Sequence, residues 1–231
     1  MDVFPSSLFP PSKLRWKIAG SPVTGGQPIS GPPATSDLSV GGWWVAEFSV
    51  GKLWRPNDIK AWRALSGRLR NGAVAFMVPC LDWFQPWPSV LPNGAPSVPH
   101  SDGASFLDGS LYAGGAITAS LSADAALRDT TATIAVTVGA ALTGGEYFSL
   151  TGASGNKRLH LIHTVETEDG TNYSIGFTPP LREDYAEGAA VDFQSLGCTM
   201  KLGTDALDDV WMTMEAPFKA SPSIRFAETD C

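Results

Sequence analysis

The chain has 231 residues, of which 43% are hydrophobic and 17% charged, with a net charge of −7. That length holds one large or two modest domains, and the apolar share excludes a globally disordered chain. The acidity argues against tight binding to a phosphate backbone, which needs a basic face.

The 24 glycines and 18 prolines are the punctuation of a turn-rich β protein. Leu14, Trp16 and Ile18 alternate as a first strand. Ser21 to Ser36 is rich in Pro and Gly and reads as irregular, either an extended arm or a long loop. Trp43 to Val50 alternates cleanly. Trp44, Ala46, Phe48 and Val50 point one way, and Trp43, Val45, Glu47 and Ser49 point the other. Arg55-Pro56-Asn57 breaks the strand. Asn57 is the expected helix N-cap, with Asp58 in the first turn where the helix dipole favours an anion. Ile59, Trp62, Leu65 and Leu69 then form a narrow apolar stripe, the core face of the helix. Asn71-Gly72 stops the helix, and Ala73 to Val78 reads as the next strand.

Residues 80–110 carry Trp83, Phe84 and Trp87 among prolines, which exclude a central strand. Apolar side chains in such a segment pack outside a core, against another chain, or on a sugar ring. From about Leu111 small residues and threonine take over. The segments 131–138, 146–150, 158–167, 172–179, 191–193 and 198–202 read as short strands, with Asp169-Gly170 as a hairpin turn. They suggest a small barrel or sandwich over 111–200. The segments 210–218 and 223–229 return to Trp, Met and Phe. The host domain is therefore expected to be discontinuous, 1–110 together with 201–231, with the β module inserted.

Motifs for chemistry are sparse. His160 and His163 imitate a metal pair, but a separation of three on a strand puts them on opposite faces, one packed and one exposed. His100 is isolated in a loop. Glu166, Glu168 and Asp169 form an acidic hairpin tip, and Asp208-Asp209 precede a strand. Solvated turns explain these better than a glycosidase pair. Cys80, Cys198 and Cys231 have no metal-ligand spacing. The glycine pairs lead into no helix, so no phosphate cradle is indicated. No catalytic, cofactor or metal residue is assigned, and the expectation is a non-enzyme without cofactors. The opening MDVFPSSLFPPSKLRWK lacks a signal-peptide apolar core, so synthesis in the cytoplasm is expected.

Residues 41–79, with AWRAL in the helix and AVAFMVP in the strand, resemble the opening of tail-tip proteins of long-tailed bacteriophages. The pattern LTGGEYFSLTG, RLHLIHTV, GFTPPLRE and VDF is similar to the second module of the same class, and APF with IRFAE fits its return strand. The resemblance is to the distal tail protein, which joins the tail tube to the tail tip. It implies a host domain of the tail-tube type, a β sandwich flanked by one helix, assembled as a six-membered ring. The inserted module would be a peripheral OB-like barrel or sandwich that could contact a host glycan. Implied partners are other copies of the chain, the tail tube protein and the hub or tip proteins. Genomic DNA would pass through without specific binding, and the place of action would be the virion tail tip. On this reading Trp83, Phe84, Trp87 and Trp43 are candidate subunit contacts. Two other readings stay open: a carbohydrate-binding module using Trp83, Trp87 or Trp54, and a component of a cell-wall hydrolase.

Overall fold

The computed structural model describes residues 2–25, 35–37, 41–81, 97–98, 112–113, 117–167, 169–203 and 221–229. The fold is mainly β, with one α-helix among the described residues. The chain divides into two units, Met1–Cys80 with Gly197–Cys231, and Leu81–Leu196.

The first unit contains β1 (Asp2–Val3), β2 (Pro11–Ala19), β3 (Pro22–Thr24), β4 (Thr35–Asp37), β5 (Trp43–Val50) and β6 (Phe76–Pro79). It is completed by β15 (Gly197–Leu202) and β16 (Ser223–Glu228). Six of these form a mixed sheet in the order β1-β6-β15-β16-β5-β2, and β3 pairs with β4 as a separate ribbon. Among the described residues the first unit thus has one six-stranded sheet and a ribbon, where two facing sheets were expected. The ribbon also corrects the irregular reading of Ser21–Ser36. A proline is tolerated as the first residue of a strand, and Pro22 sits there, opposite Asp37.

The alternation in β5 is real: Trp44, Ala46, Phe48 and Val50 are all buried. The helix α1 (Pro56–Arg68) buries Ile59, Trp62 and Leu65, and Leu69 at its C-cap is fully buried. Its start differs from the expectation. Arg55 is the N-cap residue, without a side-chain cap, and Pro56 holds the first helical turn. Proline suits that position because its fixed φ is helical and its missing N–H would have no partner there. Asn57 therefore lies inside the helix. At the other end Arg70–Gly72 form a 3-10 turn, with Gly72 at φ 87 and its N–H bonded to the Leu69 carbonyl at 2.9 Å. A Cβ on Gly72 would stand 3.0 Å from the Leu202 carbonyl oxygen, so glycine is required twice over. The 3-10 turn takes up Ala73 as its cap, which is why β6 begins at Phe76.

β1 and β2 lie at opposite edges of the sheet, so the segment between them must cross it. Phe4 and Phe9 anchor that crossing. Phe4 packs on Phe48 at 5.2 Å and on Phe226 at 5.4 Å, and Phe9 meets Trp62 edge-on at 5.1 Å. Trp62 thus joins the helix to the crossing segment.

The strand at 198–202 was expected in the second module. It belongs to the first unit: β15 pairs antiparallel with β6 and β16, with Gly197 opposite Pro79. Cys198, Met200 and Leu202 are buried on one face of the first sheet. The unit boundaries are accordingly 80/81 and 196/197 rather than 110/111 and 200/201.

The second unit holds a ribbon, β7 (Ser97–Val98) with β8 (Tyr112–Ala113), and six strands closed into a barrel. The barrel strands are β9 (Thr118–Leu121), β10 (Thr131–Val138), β11 (Tyr147–Thr151), β12 (Lys157–Thr167), β13 (Asn172–Thr178) and β14 (Ala190–Asp192). Closure runs β10-β13-β12-β11-β14-β9 and leaves the barrel no free edge. Its core is built from Leu121, Ile134, Phe148, Ile162, Ile175, Phe177 and their neighbours. The register of β12 against β13 shifts between Ile162 and Thr164, leaving His163 as an extra residue opposite Gly176. A Cβ on Gly176 would lie 2.3 Å from Thr164 Oγ1, so the bulge depends on that glycine. The bulge also switches which positions point inwards, from His160 and Ile162 before it to Val165 after it.

Two outcomes follow from this packing. Trp62→Ala removes a fully buried ring with no obvious way for the site to collapse, and should lower stability by about 3–5 kcal/mol in urea unfolding. Because Pro79 and Gly197 are partners across the ladder, replacing residues 80–196 by Asn-Gly should turn β6 and β15 into an ordinary hairpin. The shortened chain should melt cooperatively with a β-type circular dichroism spectrum; an unfolded product would show that the first unit needs the second.

Candidate functional site

The charge of the chain is unevenly divided. The first unit holds 12 Lys and Arg against 10 Asp and Glu, a net +2, and the second holds 4 against 13, a net −9. The acidity is therefore not diffuse, as the overall composition implied, but a property of the second unit.

On the first unit, one sheet face gathers cations. Arg15, Glu47 and Arg225 are partners in one row across β2, β5 and β16, and so share a face. Lys13 lies opposite Ser49, and the row of Lys17, Val45, Ala227 and Lys201 lies on the same side. Glu47 is the one carboxylate on this face in the six strands. Its Oε1 accepts a hydrogen bond from Lys17 Nζ at 2.6 Å, with Arg225 at 3.8 Å and Arg15 at 3.9 Å. The Lys17 hydrogen bond, with the positive charges around it, holds the Glu47 carboxyl below its ordinary range. A shallow cleft of about 300 Å³ runs beside it, lined by Glu47, Ser49, Ser223 and Arg225.

On the barrel, two loops face each other with matching bonds. Asp184 Oδ1 accepts from the Leu127 N–H at 2.7 Å, and Asp124 Oδ1 accepts from the Glu187 N–H at 2.7 Å. Ala125 and Tyr185 exchange both backbone bonds at 2.8 Å. Arg128 bonds the Leu181 carbonyl as Gly188 bonds that of Leu121, and both Arg128 and Gly188 have positive φ. Every pair is offset by 60 residues (184 − 124, 185 − 125, 188 − 128), so the loops are related by a local twofold. A cleft of about 520 Å³ opens between them, lined by Asp124, Asp129, Asp184, Tyr185 and three alanines. Each aspartate spends one oxygen on a backbone N–H, Asp129 on that of Ala126. These carboxylates are thus turn caps first. Among the described residues no group of His, Cys, Asp and Glu is placed to hold a metal ion.

His160 is packed and His163 exposed, as the strand spacing predicts. His160 is 1% accessible, stacked on Phe148 at 5.1 Å and edge-on to Phe177 at 5.2 Å. Its Nδ1 lies 2.8 Å from the Pro179 carbonyl, so Nδ1 carries the proton and donates. Nε2 has no hydrogen-bond partner among the described residues. Burial pushes the His160 pKa down to about 4, against the Pro179 bond and with help from Arg158 and Arg182. Asp169 bonds the Asn172 and Thr171 N–H groups, which hold its pKa near 2, and so belongs to the hairpin turn rather than to a site.

Of the residues singled out from sequence, Ile59, Trp62, Leu65 and Leu69 come together in the core. Trp43 is half-buried on the cationic face of β5, beside Val45. Trp83, Phe84, Trp87, His100, Glu168, Asp208, Asp209 and Cys231 lie outside the described residues, as does the expected strand 210–218. Cys80 and Cys198 are buried free thiols. Trp54 is 63% exposed, but the Arg55 guanidinium stands 5.1 Å over its ring and takes one face of any stacking platform. The paired loops were missed. Their signal is the repeated Asp-x-Ala at 124–126 and 184–186, too short to notice without the fold. No family model matches the chain, and no curated protein matches it in sequence.

The buried histidine sets a pH dependence. The unfolded chain binds a proton near pH 6.5 while the folded barrel refuses it until about pH 4. His160 is thus without penalty above 6.5, and lowering the pH from 6.5 to 4 costs about 3 kcal/mol. Urea unfolding of the wild type and of His160→Phe from pH 7.5 to 4 should show their stability difference shift by about that amount in favour of the variant.

Proposed function

We propose that this chain is a structural protein of a bacteriophage tail tip, a distal tail protein whose copies form a ring between the tail tube and the tip. The observation that carries the reading is the way one unit interrupts the other. A sheet-and-helix unit is assembled from both ends of the chain, and a closed barrel is inserted at one point in it. That is the organisation implied by the resemblance of residues 41–79, of the barrel segments and of the IRFAE strand to the distal tail class. The sheet-and-helix unit would build the ring and the barrel would stand at its periphery. The tail tube protein and hub proteins would be the neighbours above and below, and DNA would pass without specific contact. The turn-capping roles of Asp124, Asp129, Asp184 and Asp169 and the packed state of His160 favour a scaffold over a reaction centre.

Mass measurement by light scattering, with negative-stain images of the purified chain, tests this. Closed rings of about six copies support it. A chain that stays monomeric both alone and when mixed with the tail tube protein encoded beside it would overturn it.

A further inference from the structure

The cationic face of the first unit and the acidic loops of the second are complementary surfaces on one kind of chain. The face formed by β2, β5, β15 and β16 presents Lys13, Arg15, Lys17, Lys201 and Arg225 around the single carboxylate of Glu47. The paired barrel loops present Asp124, Asp129, Asp184 and Glu187, none of which has a cation partner among the described residues. We infer that the cationic face of one copy docks on the acidic barrel loops of a second copy, head to tail.

Three observations select a second copy over a nucleic acid. Glu47 sits in the middle of the face, where it would repel a phosphate chain and already engages Lys17, Arg15 and Arg225. The countercharge needed is present in the same chain, −9 on the second unit against +2 on the first. The acidic loops also carry an exposed apolar residue, Leu127, and the cationic face carries the half-buried Trp43, a mixture suited to a protein contact rather than to a phosphate backbone. A contact between two different patches is heterologous, so it repeats from copy to copy and closes into a ring or runs on as a filament. Ring closure rests on the function proposed above; the pairing of the two surfaces does not.

Sedimentation velocity of the full chain tests the inference by charge exchange. Arg15→Glu and Glu187→Arg should each weaken self-association about tenfold at low salt, and raising the salt should weaken the wild type similarly. The double variant, or a mixture of the two single variants, should recover association, because each new charge again meets its opposite. Lys13→Glu repeats the first arm at an exposed position that does not touch Glu47, and thermal melts confirm that each variant is folded. Rings that ignore all three substitutions and salt would uphold the proposed function and overturn this contact. A wild type that is monomeric at low salt would also overturn it. So would a face whose variants instead lose retardation of a random DNA duplex, with no recovery in the double variant, since that result assigns the cations to a phosphate chain.

Discussion

The pairing of β6 with β15 is the contact on which the rest of the structure depends. It brings Pro79 opposite Gly197 and so makes the second unit an insertion that leaves and re-enters the first sheet at neighbouring positions. Without it, β15 and β16 have no place, and β5 loses the neighbour that separates it from β6 and β15. The contact spans a long loop, and closing a loop of that length in a flexible chain costs entropy that grows with the logarithm of its length. A barrel that folds within the loop shortens it in effect. The order of events favoured by this geometry is barrel first, then the ladder between β6 and β15.

The barrel in turn relies on devices that give closure without edges. Gly176 admits the bulge at His163, and the bulge lets β12 curve while keeping Ile162 and Val165 both turned to the core. The two loops at 121–129 and 181–189 tie β9 and β14 to the strands that follow and precede them through reciprocal backbone bonds. The aspartates in those loops would look like a reactive cluster if only side chains were counted. Their bonds to backbone N–H groups give them a plainer task, to hold four-residue turns in place of secondary structure.

Elements set by local chemistry were legible in the sequence. The alternation in β5, the stripe on α1, the hairpin at Asp169-Gly170 and the opposed faces of His160 and His163 each depend on residues within a few positions of one another. What was misread depends on partners far away. Gly197–Leu202 has the apolar pattern of any short strand, and nothing within it says whether it closes a barrel or extends a sheet; only β6 and β16 decide that. The helix start was displaced because Asn57 is a good cap by type, whereas Pro56 beside it is a better first helical residue. The division of charge was also hidden. A total of −7 looks diffuse until the unit boundaries split it into +2 and −9.

That division bears on how copies of this chain can meet. An evenly spread negative charge would set every copy against every other, and screening by salt would be the only relief. Segregation removes the conflict for one relative orientation and keeps it for the rest, which is the condition for a single register of assembly. The location of the cations sharpens the point. Lys13, Arg15 and Lys17 lie on β2, which has no strand on its outer side among the described residues. Long charged side chains on such an edge oppose backbone pairing with a stray strand. They remain free to make contacts across the face. The same residues therefore disfavour the unspecific association open to any edge strand and favour one that needs a matched set of carboxylates opposite.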